Sequence, residues 1–139
     1  MKFLEKLNEK FFLLIFLLVL FTSFLSIFLI KNSCQNKKAK VYKIGEKKYC
    51  LLEAKNEVEW MRGLMNVKKP VDFDGMIFLF PEKNYRTFWN KNTYLDLDIY
   101  WLDNEEVVDK DNLPSIEKTK EIFTISSPKP VDRVVEIVR

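Results

Sequence analysis

The sequence predicts an α+β protein: a small, mostly antiparallel, barrel-like β domain of about seven strands with one short helix, behind a single transmembrane helix. Three observations predict it. Short runs of aromatic and β-branched residues follow one another with turn residues, not helices, between them. One segment, "NEVEWMRGLM", has helical capping and spacing. And "FFLLIFLLVLFTSFLSIFLI", residues 11–30, carries no charge, no Pro and no Gly.

The chain divides in order. Residues 1–10 form a short flank. As a helix rising about 1.5 Å per residue, the 11–30 run would be roughly 30 Å long, the thickness of a bilayer's hydrocarbon core. A cleaved signal peptide has an apolar region of only about 7–15 residues. Lys31 and Asn32 stand where a lipoprotein signal ending at Cys34 wants small or apolar residues, so the run reads as an uncleaved anchor. Thr22, Ser23 and Ser26 share a face of that helix, where their hydroxyls are expected to bond back to helix carbonyls. Residues 31–40, "KNSCQNKKAK", read as a Lys-rich tether, and residues 41–139 as the β-rich domain.

Within that domain, "KVYKIGEKKYCLLEA" reads as a hairpin turning at Gly45–Glu46. In the helical segment Asn56 is the expected N-cap, Glu59 stands three residues on, and Gly63 supplies the exit. Trp60, Met61 and Leu64 would form its apolar stripe. "GMIFLF" (75–80), bounded by Gly75 and Pro81, is too short for a helix and reads as a buried central strand. "YRTFWN" and "LDLDIYWLD" are the next strands, with Asp103–Asn104 turning into "EEVVDK". "EIFTI" and "RVVEIV" follow. The charged stretch "DNEEVVDKD" (103–111) reads as a solvated hairpin.

Charge and composition exclude several functions. Residues 1–40 hold seven Lys and two Glu, net +5, whereas residues 41–139 hold 16 Lys plus Arg against 18 Asp plus Glu, net −2. The excess positive charge lies outside the folded part, so no nucleic-acid partner is expected. Lys2, Lys6, Lys10 and the α-amino group before the anchor nearly balance Lys31, Lys37, Lys38, Lys40 and Lys43 after it, with a slight lean toward a cytoplasmic domain. No histidine is present, which removes His-based acid–base chemistry, the Ser-His-Asp and Cys-His arrangements and most zinc sites. Asp72, Asp74, Asp96 and Asp98 do not form a calcium loop, and neither a metal nor a cofactor is expected. Cys34 and Cys50 have the option of a disulfide in an oxidising compartment, but the favoured reading is a free thiol at Cys34 and a buried core thiol at Cys50.

"FWNKNT" (88–93) sets large aromatics directly against polar residues. If the strand runs through it, Phe88 shares a face with Asn90 and Asn92, and Trp89 with Lys91 and Thr93. In "LDLDIY" Leu95, Leu97 and Ile99 face one way, and Asp96, Asp98 and Tyr100 the other. With Arg62 at the end of the helix, an Arg, a Lys, an Asp and two Asn are expected to converge at one rim of the sheet.

"RGLM" (62–65), "GMIFLF" (75–80), "FWNKNT" (88–93), "LDIYWLD" (97–103) and "VVEI" (134–137), in this order and spacing, resemble the family numbered 192 among the domains of unknown function. The resemblance spans about residues 48 to 137 and implies a small β-rich domain without an assigned activity, usually outside the cytoplasmic membrane behind a signal peptide or anchor. Asn90 stands where the family pattern has Met, Asp96 where it has Pro, and Arg62 lies directly before Gly63.

The polar cluster has a structural and a functional reading. In the first, Asp98 pairs with Arg62 or Lys91, and Asn92 and Thr93 satisfy backbone groups. In the second, Arg62, Lys91 and Asn92 supply donors beside a Trp89 wall, with Asp98 nearby, a mixture suited to a sugar or a carboxylate-bearing ligand. The leading functional expectation is a non-catalytic binding or interaction module at the cell envelope. Its expected partners are the lipid bilayer through residues 11–30 and a small ligand, glycan or envelope protein. The alternative is a small hydrolase or lyase-like enzyme using Asp98 with Arg62 or Lys91.

Overall fold

The computed structural model describes residues 11–23 and 34–139. Residues 11–23 are helical (α1). There Thr22 Oγ1 donates to the Val19 carbonyl at 3.0 Å and Ser23 Oγ to the Leu20 carbonyl at 2.8 Å, the back-bonding expected of them. Among the described residues no helix is long and apolar enough to cross a membrane. Residues 24–30 of the expected anchor, Ser26 included, and the flanks 1–10 and 31–33 lie outside the described residues.

Residues 34–139 form an α+β unit built around a half-barrel sheet. The hairpin comes first: β1 (Lys40–Ile44) and β2 (Lys47–Ala54) pair antiparallel, and Gly45, at φ +59°, makes the turn. The helix α2 (Glu57–Arg62) follows, with Asn56 Oδ1 accepting from the Glu59 amide at 3.1 Å. Glu59 Oε2 in turn accepts from the Lys55 amide at 2.7 Å, so side chains satisfy two backbone donors at the start of the helix. Trp60 and Leu64 turn inward as expected. Met61 does not: it is exposed, because a helix this short has room for only one buried edge.

The chain then enters β3 (Gly75–Asn84), parallel to β2 and longer than "GMIFLF", since Pro81 falls in an irregular stretch of the pairing where its missing N–H costs no ladder bond. β4 (Thr87–Trp89) is a three-residue strand that leaves the main sheet. β5 (Leu97–Asp103) and β6 (Glu106–Leu113) form the expected hairpin, with Asn104 at φ +56° in its turn. After a one-turn helix α3 (Ile116–Thr119), β7 (Thr124–Ser126) pairs with β4, and β8 (Val131–Val138) returns to the centre of the main sheet. The main sheet has the order β1-β2-β3-β8-β5-β6, and β1 and β6 are its edges. All its pairings are antiparallel except β2–β3.

Register across the centre assigns the two faces. Val134 of β8 lies opposite Phe78 of β3 and Trp101 of β5, and two residues on, Glu136 lies opposite Met76 and Ile99. That face carries the larger core, with Phe78, Leu97, Ile99, Trp101 and Val134 fully or almost fully buried. The alternate residues Val135 and Ile137, opposite Ile77, Tyr100 and Asp98, face the second core with Leu51 and Ile44.

The cysteine expectation is corrected: Cys34 and Cys50 form a disulfide. Cys50 sits on β2, only half-buried, where its side chain reaches the segment that leads into β1. The same junction is tied by Asp74, whose Oδ2 accepts from the Cys50 amide at 2.7 Å, and by Asn36, which donates to Asp72 at 2.9 Å.

Candidate functional site

Between α2, β3, β4 and β8 lies an open cavity of about 430 Å³ on the larger-core face. The end of α2 contributes Trp60, Arg62 and Gly63, and β3 contributes Phe78 and Phe80. The β3–β4 connection adds Tyr85 and Arg86, β4 adds Phe88 and Trp89, and β8 adds Glu136. The aromatic walls are packed together. Phe88 meets Phe78 edge-on at 4.8 Å and Trp101 edge-on at 5.7 Å, while Trp60 and Phe80 lie 5.0 Å apart. Trp60 Nε1 is satisfied by the Ala54 carbonyl at 3.0 Å, which fixes that wall.

Two polar groups stand out against this apolar lining. Glu136 is only 5% exposed, sits mid-strand in the centre of the sheet, and its Oε2 has no hydrogen-bond partner. Burial pushes its carboxyl up from the ordinary carboxylate range to about 8. Arg86 lays its guanidinium over the Phe80 ring at 3.8 Å and donates from Nη2 to the Glu82 carbonyl at 2.8 Å, yet its Nε is buried and unpartnered. Among the described residues these are the two buried side-chain polar atoms without a partner, and both residues line this one cavity. Buried polar groups are ordinarily paired because an orphan costs about 1–3 kcal/mol. Gly63 keeps the approach to Glu136 clear. At φ +47°, a Cβ there would lie 3.3 Å from the Phe78 ring and 3.8 Å from Glu136 Oε2.

The structure brings some of the expected site residues together and separates others. Arg62 and Trp89 both line the cavity, Trp89 as a half-exposed wall. Lys91 does not line it, but its ammonium stands 5.5 Å over the Trp89 ring. Asn92 is a turn residue at φ +53°, and its carbonyl accepts from the Asn66 amide at 2.8 Å. The strand ends at Trp89, so the alternation drawn through residues 90–93 does not hold. Asn90 is instead fully buried under α3.

Asp98 is the clear correction. Register puts it opposite Ile137, on the face away from Glu136, and it pairs with Lys110 at 2.9 Å and Arg139 at 3.4 Å rather than with Arg62 or Lys91. Asp96 is likewise committed, to Lys118 at 2.6 Å and the Ser115 amide at 3.1 Å. Lys118, followed by the Ser115 amide, holds the Asp96 carboxyl below its ordinary range.

Glu136 and Arg86 were missed by the sequence reading. Period-2 alternation in "RVVEIV" puts Glu136 on the same face as Val134 and Val138, a lone carboxylate in an apolar row, and that was the available signal. Arg86 had none, since its role depends on how β3 and β4 are joined.

No curated protein matches the chain. Among solved structures it is similar to a protein from Sinorhizobium meliloti described as a candidate transcription regulator, with 25% identity, a TM-score of 0.56, and coverage of 70% of this chain and 76% of that one. It is also similar to a protein of unknown function from Novosphingobium aromaticivorans, with 22% identity, a TM-score of 0.56, and coverage of 72% and 80%. The family model described as "DUF192: Uncharacterized ACR" matches residues 40–139, from the first strand to the last residue, and the chain belongs to that family.

Proposed function

We propose that this protein is a non-catalytic module that binds a small ligand in the cavity between α2, β3, β4 and β8, held at the cell envelope by residues 11–30. The observation that carries the reading is the coincidence of the two orphaned buried polar atoms, Glu136 Oε2 and Arg86 Nε, in one aromatic-walled cavity. An acceptor and a donor left unpaired beside one cavity are placed to bond a molecule held there. The uncharged 11–30 run supports the anchor. The Cys34–Cys50 disulfide supports an oxidising compartment, and so an extracytoplasmic domain. Asp98 lies on the opposite face of the sheet and gives an enzyme built on Asp98 with Arg62 or Lys91 no support.

Ligand binding is tested by thermal-shift and tryptophan-fluorescence screening of the detergent-solubilised full chain against small-molecule fractions of the envelope. The expected result is saturable binding, without consumption of the ligand, that Trp89→Ala and Arg86→Ala weaken. Binding indifferent to both substitutions would overturn the assignment of the site. For compartment, a reporter fused after Arg139 and active on one side only is expected to read outside; activity inside would sink the envelope placement.

A further inference from the structure

On the reading that this cavity is a ligand site, we propose that its ligand carries an ammonium group on an apolar stem with a carboxylate at the other end, the ammonium meeting Glu136 and the carboxylate meeting Arg86 and Arg62. The cavity's polar inventory is what selects this class. Of the hydroxyls that line it, Thr87 Oγ1 is engaged with Ser126 Oγ at 2.8 Å, Thr93 Oγ1 donates to the Lys91 carbonyl at 3.3 Å, and that of Tyr85 belongs to a largely exposed side chain at the rim. Trp60 Nε1 is taken by Ala54. What remains buried and unpaired is one carboxylate oxygen and one guanidinium N–H. A sugar ring brings a hydroxyl on nearly every carbon, more than the two orphaned atoms in the buried part of the cavity can pair. A molecule polar at two ends and apolar between leaves none unpaired.

Charge and wall chemistry agree. Phe78 lies beside the Glu136 carboxyl, its ring and Oε2 both within 4 Å of where a Cβ on Gly63 would stand, and the other walls of the cavity are largely aromatic. A cation alone would share the cavity with Arg86 and Arg62, and an anion alone would leave the buried Glu136 Oε2 without a partner. Only a ligand bearing both charges gives each of the three residues an opposite partner. A free amino acid and the charged end of a longer chain share this chemistry. Because the Glu136 carboxyl is neutral below about pH 8, an arriving ammonium stabilises the ionised form and expels the proton.

The test is calorimetry on the detergent-solubilised full chain at pH 7, in two buffers of different ionisation heat, with four probes: 6-aminohexanoate, hexylamine, hexanoate and glucose. The expected result is binding of 6-aminohexanoate about tenfold or more tighter than either single-charge analogue, with about one proton released per molecule bound. Glu136→Gln, whose retained fold is checked by its melting temperature, is expected to abolish proton release and to weaken 6-aminohexanoate but not hexanoate. Glucose binding more tightly than 6-aminohexanoate, or 6-aminohexanoate binding without proton release, overturns the ligand class and leaves the cavity reading standing. Failure of all four probes also overturns the class. The cavity reading falls with it only if the envelope fractions too yield no binding sensitive to Arg86→Ala.

Discussion

Asn90 and Phe123 hold each other through two hydrogen bonds: the Phe123 amide donates to Asn90 Oδ1 at 2.8 Å, and the Asn90 amide donates to the Phe123 carbonyl at 3.1 Å. The same side chain donates from Nδ2 to the Pro114 carbonyl at 3.0 Å and to Thr119 Oγ1 at 2.8 Å. One fully buried amide thus closes the whole excursion from the end of β6 through α3 to β7. Asp96 clamps that excursion from its other side, through Ser115 and Lys118. Both residues serve this segment.

Asn90→Met, which removes the amide, is therefore expected to destabilise this chain. The Phe123 amide and the Pro114 carbonyl would lose their side-chain partner in a part-buried place, at a cost of roughly 1–3 kcal/mol. The measurement is the denaturant midpoint. A change under about 0.5 kcal/mol, the size of an ordinary surface substitution, would mean the amide is not the clasp described.

Much of the fold could be read from the sequence because short-range physics sets it. The hairpin at Gly45, the Asn56 cap, the β5–β6 turn and the alternation in β5 follow from local residue chemistry. The Asp98 error was of another kind. Alternation correctly put Asp98 opposite in sense to Leu97 and Ile99, but only the pairing of β5 with β8 says which face holds the cavity. The disulfide was open in the sequence but not decided, because choosing it over two thiols needs the distance between the tether and β2, which no local rule supplies. In "FWNKNT" the strand stops at Trp89, and Asn90 is withdrawn into long-range hydrogen bonds that spacing could not reveal.

Gly75 is expected to tolerate no side chain. A Cβ there would lie 1.8 Å from the Glu136 carbonyl oxygen, so backbone would have to move against backbone at the centre of the sheet. Gly75→Ala should cost more than about 4 kcal/mol, or prevent folding outright. Gly45→Ala is the control. Nothing lies within 4 Å of its Cβ, and its φ of +59° costs only about 1–2 kcal/mol. Equal soluble yields and equal melting temperatures for the two variants would contradict the close approach.

Reducing the Cys34–Cys50 bond should loosen the start of the domain. The two residues are 16 apart, and cross-linking a loop of about that length stabilises by roughly 3 kcal/mol in the chain-entropy account. Cys34→Ser with Cys50→Ser is expected to lower the unfolding free energy by a comparable amount, and the oxidised protein to show no free thiol even when denatured. Two titratable thiols in protein taken directly from cells would refute the pairing.

Two carboxylates should give the stability–pH curve opposite slopes. Burial raises the Glu53 carboxyl, but hydrogen bonds from Lys55, Tyr42 and Lys40 outweigh it and hold the group at about 2. A depressed folded pKa means stability present above the ordinary value of about 4.5 and lost as pH falls toward 2. Glu53→Gln should flatten that acid limb only in part, by roughly 1–2 kcal/mol, because its lysine partners are screened by solvent and because Asp96 and Asp103 are also held low. Glu136 acts in reverse. Its raised value means stability that is complete below about 4.5 and is lost as pH rises through about 8, at up to about 1.4 kcal/mol per pH unit. The chain has no histidine to titrate in that interval. Glu136→Gln should therefore remove the decline between pH 5 and 8 and become more stable than the parent protein above pH 8. Denaturant midpoints at half-unit steps decide it: parallel curves for the two proteins across that interval would mean that Glu136 meets water or a partner, and the buried orphan on which the site rests would be gone.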